Sequence, residues 1–114
     1  MPYSAQNRRM LAQRRHHRVT LSRDIVTSPG LKAIDLSESG LGVETMQALK
    51  IGSVIPLELK LDGLELGVQA QVMRCAPSQS IFKNCNIAGL MFVNVPPSDT
   101  IKIRRFIEQL VAKE

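Results

Sequence analysis

The sequence predicts a small antiparallel β-barrel or β-sandwich that is closed by one terminal α-helix. Three observations predict it: short runs of alternating apolar residues, turn signals at close spacing, and a single amphipathic segment near the carboxyl end. No alternation of strand and helix patterns appears, which argues against a parallel sheet. With 114 residues, the chain can form one domain with a modest hydrophobic core.

The first strands are short and only partly alternating. Residues 19–26 are rich in β-branched side chains and lead to the turn pair Pro29-Gly30. Residues 31–36 alternate imperfectly, and residues 41–45 form another short run after a cluster of turn residues. These patterns predict short strands joined by tight turns.

The clearest strand signal lies in the middle of the chain, where every second residue from 55 to 61 is apolar. Asp62-Gly63 is a strong signal for a two-residue hairpin turn, and the return strand alternates over residues 64–72. Pro56 lacks a backbone donor, so the first strand of this hairpin is predicted at an edge of the sheet.

The last third of the chain predicts a loop, a strand and a helix. Residues 76–84 are expected to form the loop, and residues 85–93 a strand in which Gly89 marks a bulge or a close backbone approach. Ser98 or Asp99 is expected to cap the helix. The apolar stripe of this helix should cover an open end of the sheet; its members are Ile103, Phe106, Ile107, Leu110 and Val111.

The positive charge is concentrated at the amino end. Residues 1–23 contain six arginines and no acid, whereas residues 24–114 contain nine Lys/Arg and ten Asp/Glu. We therefore expect a flexible basic arm over residues 1–13 and a nearly neutral folded domain over residues 14–114. Such an arm is suited to meet an anionic ligand.

Several classes of protein are disfavoured by composition. The chain has three Phe, one Tyr and no Trp, so it lacks the stacking surfaces of single-strand nucleic-acid binders. No apolar run could span a bilayer, and no secretory signal follows the first arginines. Two cysteines ten residues apart fit reduced thiols in a cytoplasmic protein. No metal site or catalytic motif is recognisable, so no cofactor and no enzyme activity are expected.

Two segments carry the chemistry that distinguishes this chain. Arg14 and Arg18 are four residues apart, and their planar guanidinium groups suit phosphates and guanine edges. Asp35, Ser37 and Gly40 follow in a strand and its turn. The carboxylate can accept from a guanine, and the hydroxyl can bond to a phosphate or a base. The glycine lets backbone come close and permits positive φ. These groups suit a ligand that is both anionic and guanine-bearing.

These two motifs, Arg14-xxx-Arg18 and Asp35-x-Ser37-x-x-Gly40, resemble the two-part signature of PilZ domains, bacterial receptors for cyclic di-GMP. The spacing between the motifs, a Gly-x-x-Phe at residues 89–92 and the final helix also resemble that family. The likeness extends over roughly residues 13–111. It implies a six-stranded antiparallel β-barrel with a carboxyl-terminal helix.

The resemblance also implies roles for individual residues. Arg14 and Arg18 would wrap the ligand, while the turn with Asp35, Ser37 and Gly40 would line the opposite side. The residue before the arginine motif is Gln13. At this position the chain resembles family members that bind an intercalated dimer of the ligand. Arg9 and Arg15 are candidates for charge-assisted contacts with a second ligand molecule.

The resulting hypothesis is a receptor or adaptor. Ligand binding would order the arm, change a surface and signal to an effector protein that the sequence does not identify. The alternative is a PilZ-like interaction module that serves pilus or motility assembly without the nucleotide. A third interpretation, a nucleic-acid binder with a basic tail, is favoured by the arginines but disfavoured by the scarcity of aromatics and the neutral body. We therefore expect no nucleic-acid partner and no membrane insertion.

Overall fold

The computed structural model describes residues 18–21, 24–78 and 84–112, which form one antiparallel sheet and one helix. The strands are β1 (Val19–Thr20), β2 (Leu31–Ser37), β3 (Gly40–Thr45), β4 (Val54–Leu61), β5 (Leu64–Pro77) and β6 (Asn86–Val93). The helix α1 spans Pro97–Ala112. The expected arm over residues 1–13 lies outside the described residues.

The six strands lie in the order β1-β2-β3-β6-β5-β4, and every neighbouring pair is antiparallel. The sheet curls into a half-barrel, which agrees with the predicted class of a small six-stranded antiparallel barrel with one helix. Its two edges approach each other through the segment after β1, where Val26 forms a bridge with Leu59 of β4. The amide of Thr27 donates to the Glu58 carbonyl at 3.0 Å, and the amide of Lys60 donates to the Ile25 carbonyl at 2.7 Å.

The central hairpin agrees with its sequence pattern. Residues Asp62 and Gly63 connect β4 and β5 with φ of 52° and 87°, values typical of a tight hairpin turn. Every second residue of β4 faces the core, and β4 is the last strand of the sheet order, so Pro56 occupies an edge strand as predicted. Strand β5 runs as far as Pro77, so the expectation of a loop from residue 76 was wrong by two residues.

The helix begins earlier than the sequence indicated. It starts at Pro97, whose fixed φ suits a first helical turn, and the predicted caps Ser98 and Asp99 lie inside that turn. Asp99 places its negative charge near the helix amino terminus, where it is favourable. Of the predicted stripe, Val111 is exposed, and the buried members are Ile103, Phe106 and Ile107.

The core is aliphatic apart from Phe106 and draws on all six strands, the bridging segment and the helix. Its largest fully buried side chains are Ile25, Leu36, Leu41, Leu57, Leu59 and Ile103. Helix α1 contacts β1 and β2, the two strands at one edge of the sheet. The helix therefore packs against the strand that also carries the predicted binding residues Asp35 and Ser37.

The packing of α1 can be tested by substitution of Ile103, which is 0% exposed. Ile103→Ala should lower the free energy of unfolding by about 2–5 kcal/mol, because it leaves a cavity between helix and sheet. Ile101→Ala is the matched control, since Ile101 lies on the same helix and is 41% exposed. Urea denaturation of both variants would measure the effect, and equal losses would contradict the described packing.

Candidate functional site

Asp35 reaches the outer surface of the sheet because β2 is irregular. The register between β2 and β3 shifts between Ala33 and Asp35, so Ile34 is an extra residue in β2. Ala33 and Leu36 can therefore both be buried although they are three residues apart. The imperfect alternation in the sequence thus reflects a β-bulge, which turns the Asp35 carboxylate outward.

The Asp35 carboxylate links the first motif to the second. Its Oδ1 accepts a hydrogen bond from the Gly42 amide at 2.8 Å and one from Arg18 Nη1 at 2.5 Å. The Arg18 side chain is 50% exposed and that of Asp35 is 28% exposed. The structure therefore brings one arginine of the first motif onto the aspartate of the second, at a position open to solvent.

Ser37 is the last residue of β2, directly before the β2–β3 turn, and is almost fully buried. Its hydroxyl donates to the Gly40 carbonyl at 3.3 Å and lies 3.3 Å from the Ser39 hydroxyl. With 2% of its surface exposed, Ser37 fixes the shape of the turn in this conformation. The side chain that the turn presents to solvent is Ser39.

Gly40 is required by the close approach of two strands. It pairs with Ser37 on one side and with Met91 of β6 on the other. A Cβ at this position would lie 2.1 Å from the Leu90 carbonyl oxygen. The close approach at Gly40 is to the backbone of β6, and the φ of Gly40 is not positive.

A depression of about 220 Å³ opens beside this turn. Two arginines, Arg18 and Arg74, line it together with backbone of β3 and β6, so its charged groups suit an anionic ligand. Two methionines supply an apolar rim. The remaining lining residues are Ser39, Gly40, Leu41, Met73, Gly89, Leu90 and Met91.

Arg74 is the residue that sequence reasoning missed. The register between β5 and β6 shifts between Val72 and Arg74, which brings Arg74 opposite Gly89. A Cβ on Gly89 would lie 2.6 Å from Arg74 Nε, so the arginine side chain lies directly across the glycine. Gly89 was the available signal: a glycine in a strand interior indicates that another group approaches closely.

A second ion pair joins the turn to the helix. Arg104 of α1 donates to Glu38 Oε1 from Nε at 3.0 Å and from Nη2 at 2.7 Å. Glu38 lies between Ser37 and Ser39, inside the second motif. These hydrogen bonds and the negative charge of Glu38 raise the pKa of Arg104 above its ordinary value, so the guanidinium remains charged.

The other predicted site residues, Gln13, Arg14 and Arg15, lie outside the described residues. Two larger depressions, of about 290 and 500 Å³, contain none of the predicted residues in their lining. Among the described residues, no group of His, Cys, Asp and Glu side chains could hold a metal ion. Within the same part of the chain, no helix is long and apolar enough to cross a bilayer.

Comparison with solved structures identifies the same fold elsewhere. YcgR from Escherichia coli in complex with c-di-GMP matches with a TM-score of 0.69 at 18% identity, over 89% of this chain and 47% of that chain. The PilZ domain of YcgR with c-di-GMP gives 0.65 at 18% identity, over 89% and 93% of the two chains. The Bacillus subtilis inhibitor of motility, MotI/DgrA, gives 0.71 at 15% identity, over 90% and 53%.

The chain thus spans about half the length of the YcgR chain in the first of these structures and of MotI/DgrA. No curated protein matches the sequence significantly. The family model of the PilZ domain matches residues 12–109, a range that includes both arginines of the first motif, the bulged strand, the turn and most of the helix. The chain belongs to the PilZ domain family.

Proposed function

We propose that this PilZ domain is a receptor for cyclic di-GMP. Arg14 and Arg18 would clamp the ligand against the turn that contains Asp35, Ser37 and Gly40. The observation that carries this proposal is the contact between Arg18 and Asp35 beside the arginine-lined depression. The family match and the two c-di-GMP complexes of similar fold support it.

The charges of the site are consistent with such a ligand. Arg18 and Arg74 both line the depression, and each guanidinium offers several N–H donors to phosphate oxygens or guanine edges. Asp35 has a second carboxylate oxygen besides Oδ1, which can accept from the N–H groups of a guanine. A hydrogen bond to a charged group contributes about 1.5–3 kcal/mol, so a few of them suffice for micromolar affinity.

The contact between Arg18 and Asp35 is weak enough to be rearranged by a ligand. Exposed ion pairs contribute about 0–1 kcal/mol, because water screens them and two side chains lose rotational freedom. A ligand that forms several charge-assisted bonds can therefore replace or extend this contact at little cost. In the proposed mechanism, the bound ligand orders the residues before Arg18 and thereby changes a surface that an effector protein recognises.

Isothermal titration calorimetry with cyclic di-GMP tests the proposal directly. We expect a dissociation constant on the order of 1 µM, about 8 kcal/mol of binding free energy, and no heat from GTP or a single-stranded oligonucleotide. A stoichiometry of two would support an intercalated dimer contacted by Gln13 and Arg15. If neither cyclic di-GMP nor the oligonucleotide gave heat, a nucleotide-independent interaction module would be favoured. Heat with the oligonucleotide would favour nucleic-acid binding.

A further inference from the structure

The contact between Arg104 and Glu38 joins two parts of the fold that are far apart in the chain. Glu38 lies at the tip of the β2–β3 turn, and Arg104 lies near the middle of α1, one residue after the fully buried Ile103. Because Ile103 anchors this part of the helix against the sheet, the backbone that carries Arg104 is fixed. The guanidinium then reaches the turn from a rigid support.

We propose that Arg104 is a positioning residue for the ligand-binding turn. It holds the Glu38 side chain with two N–H donors on one oxygen, at 3.0 and 2.7 Å. It does not line the depression, whose described lining contains Arg18 and Arg74 as its arginines. Its effect on the ligand would therefore pass through Glu38 and the turn.

Two hydrogen bonds show what the turn must keep in place. The Ser39 carbonyl, next to Glu38, accepts from the Phe92 amide of β6 at 2.8 Å. On the other side of Glu38, the Ser37 hydroxyl donates to Gly40. When Glu38 is held by the helix, Ser39 and Gly40 stay on the rim of the depression in a fixed geometry. Preorganisation of this kind raises affinity because less freedom is lost on binding.

The coupling between the helix and the turn is reciprocal. If the helix stabilises the ligand-binding conformation of the turn, then a bound ligand stabilises the helix position by the same free energy. A protein that binds α1 and engages Arg104 would lower ligand affinity. The ion pair would thus connect ligand occupancy to a surface on the helix.

The decisive comparison uses two substitutions of opposite charge. Arg104→Ala removes a positive charge and Glu38→Ala removes a negative one, so general electrostatics predicts opposite effects on an anionic ligand. Positioning predicts the same effect: each variant should raise the dissociation constant of cyclic di-GMP by about threefold to fivefold, the upper end of what a partly exposed ion pair contributes. The effects of the two substitutions should not add in the double variant, since each single variant already lacks the contact between Arg104 and Glu38.

Arg105→Ala is the matched control, because it removes the same charge from the neighbouring exposed position of α1. It should leave the dissociation constant within about twofold of the wild-type value. Affinity that rises in Glu38→Ala and falls equally in Arg104→Ala and Arg105→Ala would overturn the positioning role. Circular dichroism of each variant would confirm that the chain is folded.

This inference rests on the proposed function, and a ligand-free measurement separates the two. Hydrogen exchange of the Phe92 amide in the full chain should be faster in Arg104→Ala and Glu38→Ala than in the wild type and Arg105→Ala. If this exchange pattern were observed but no variant, including the wild type, bound cyclic di-GMP, the positioning of the turn by Arg104 would stand and the receptor function would be refuted. Normal ligand binding with unchanged exchange and affinity in all variants would refute the positioning role alone.

Discussion

Asp35→Ala should weaken the binding of cyclic di-GMP by at least about tenfold, because a hydrogen bond to a charged group is worth about 1.5–3 kcal/mol. Removal of a negative charge favours an anionic ligand at long range, so a loss of affinity would come from short-range effects: lost contacts with the ligand or lost positioning of Arg18. Calorimetry of the variant beside Glu65→Ala, which removes an exposed carboxylate on the distant β4–β5 hairpin, would measure the effect.

The same substitution also removes an acceptor from the buried Gly42 amide, which should cost about 1–3 kcal/mol of stability. Asp35→Asn separates the two effects, since its side-chain oxygen can still accept from that amide. The midpoint temperature of thermal unfolding should therefore be close to the wild-type value in Asp35→Asn and lower in Asp35→Ala. Unchanged affinity in a folded Asp35→Ala variant would remove Asp35 from the proposed site.

Gly40→Ala should destabilise the fold by about 3 kcal/mol, because the new Cβ would collide with backbone that cannot move independently. The nearest atom, the Leu90 carbonyl oxygen, would lie 2.1 Å away, and the Leu90 carbonyl carbon and Met91 Cα would each lie 3.1 Å away. The strands β3 and β6 must separate to relieve these contacts. Chemical denaturation would measure the loss.

Gly67→Ala provides the control for this prediction. Gly67 also lies in a strand, but a Cβ there would meet the flexible Glu58 carboxylate at 3.6 Å, an ordinary contact distance. This variant should unfold within about 0.5 kcal/mol of the wild type. Equal stability of the two glycine variants would contradict the described spacing of β3 and β6.

Local patterns predicted the regular parts of the fold well. The alternation in β4 and the Asp62-Gly63 pair were sufficient because strand period and turn chemistry are both short-range properties. The irregular parts were harder. The bulge at Ile34 interrupts alternation, and the length of β5 depends on its pairing with β6, which no local pattern reveals.

The candidate site shows the same division. Asp35, Ser37 and Gly40 could be recognised because they form a contiguous motif. Arg104 could not, since its relation to the turn arises only when α1 packs beside it. For Arg74, Gly89 indicated that some group approaches closely, but the identity of that group depends on the pairing of β5 with β6. The buried position of Ser37 was likewise invisible in the sequence, because the burial depends on neighbouring strands.

The segment between β1 and β2 has a consequence for the solubility of shortened chains. Strand β1 pairs with β2, and residues Ile25 to Thr27 bond to β4, the strand at the other end of the sheet order. A chain that starts after Pro29 would lose both segments and leave β2 and β4 with unpaired backbone groups. Exposed strands of this kind recruit other chains, so such a fragment should aggregate even though most of the core residues remain present.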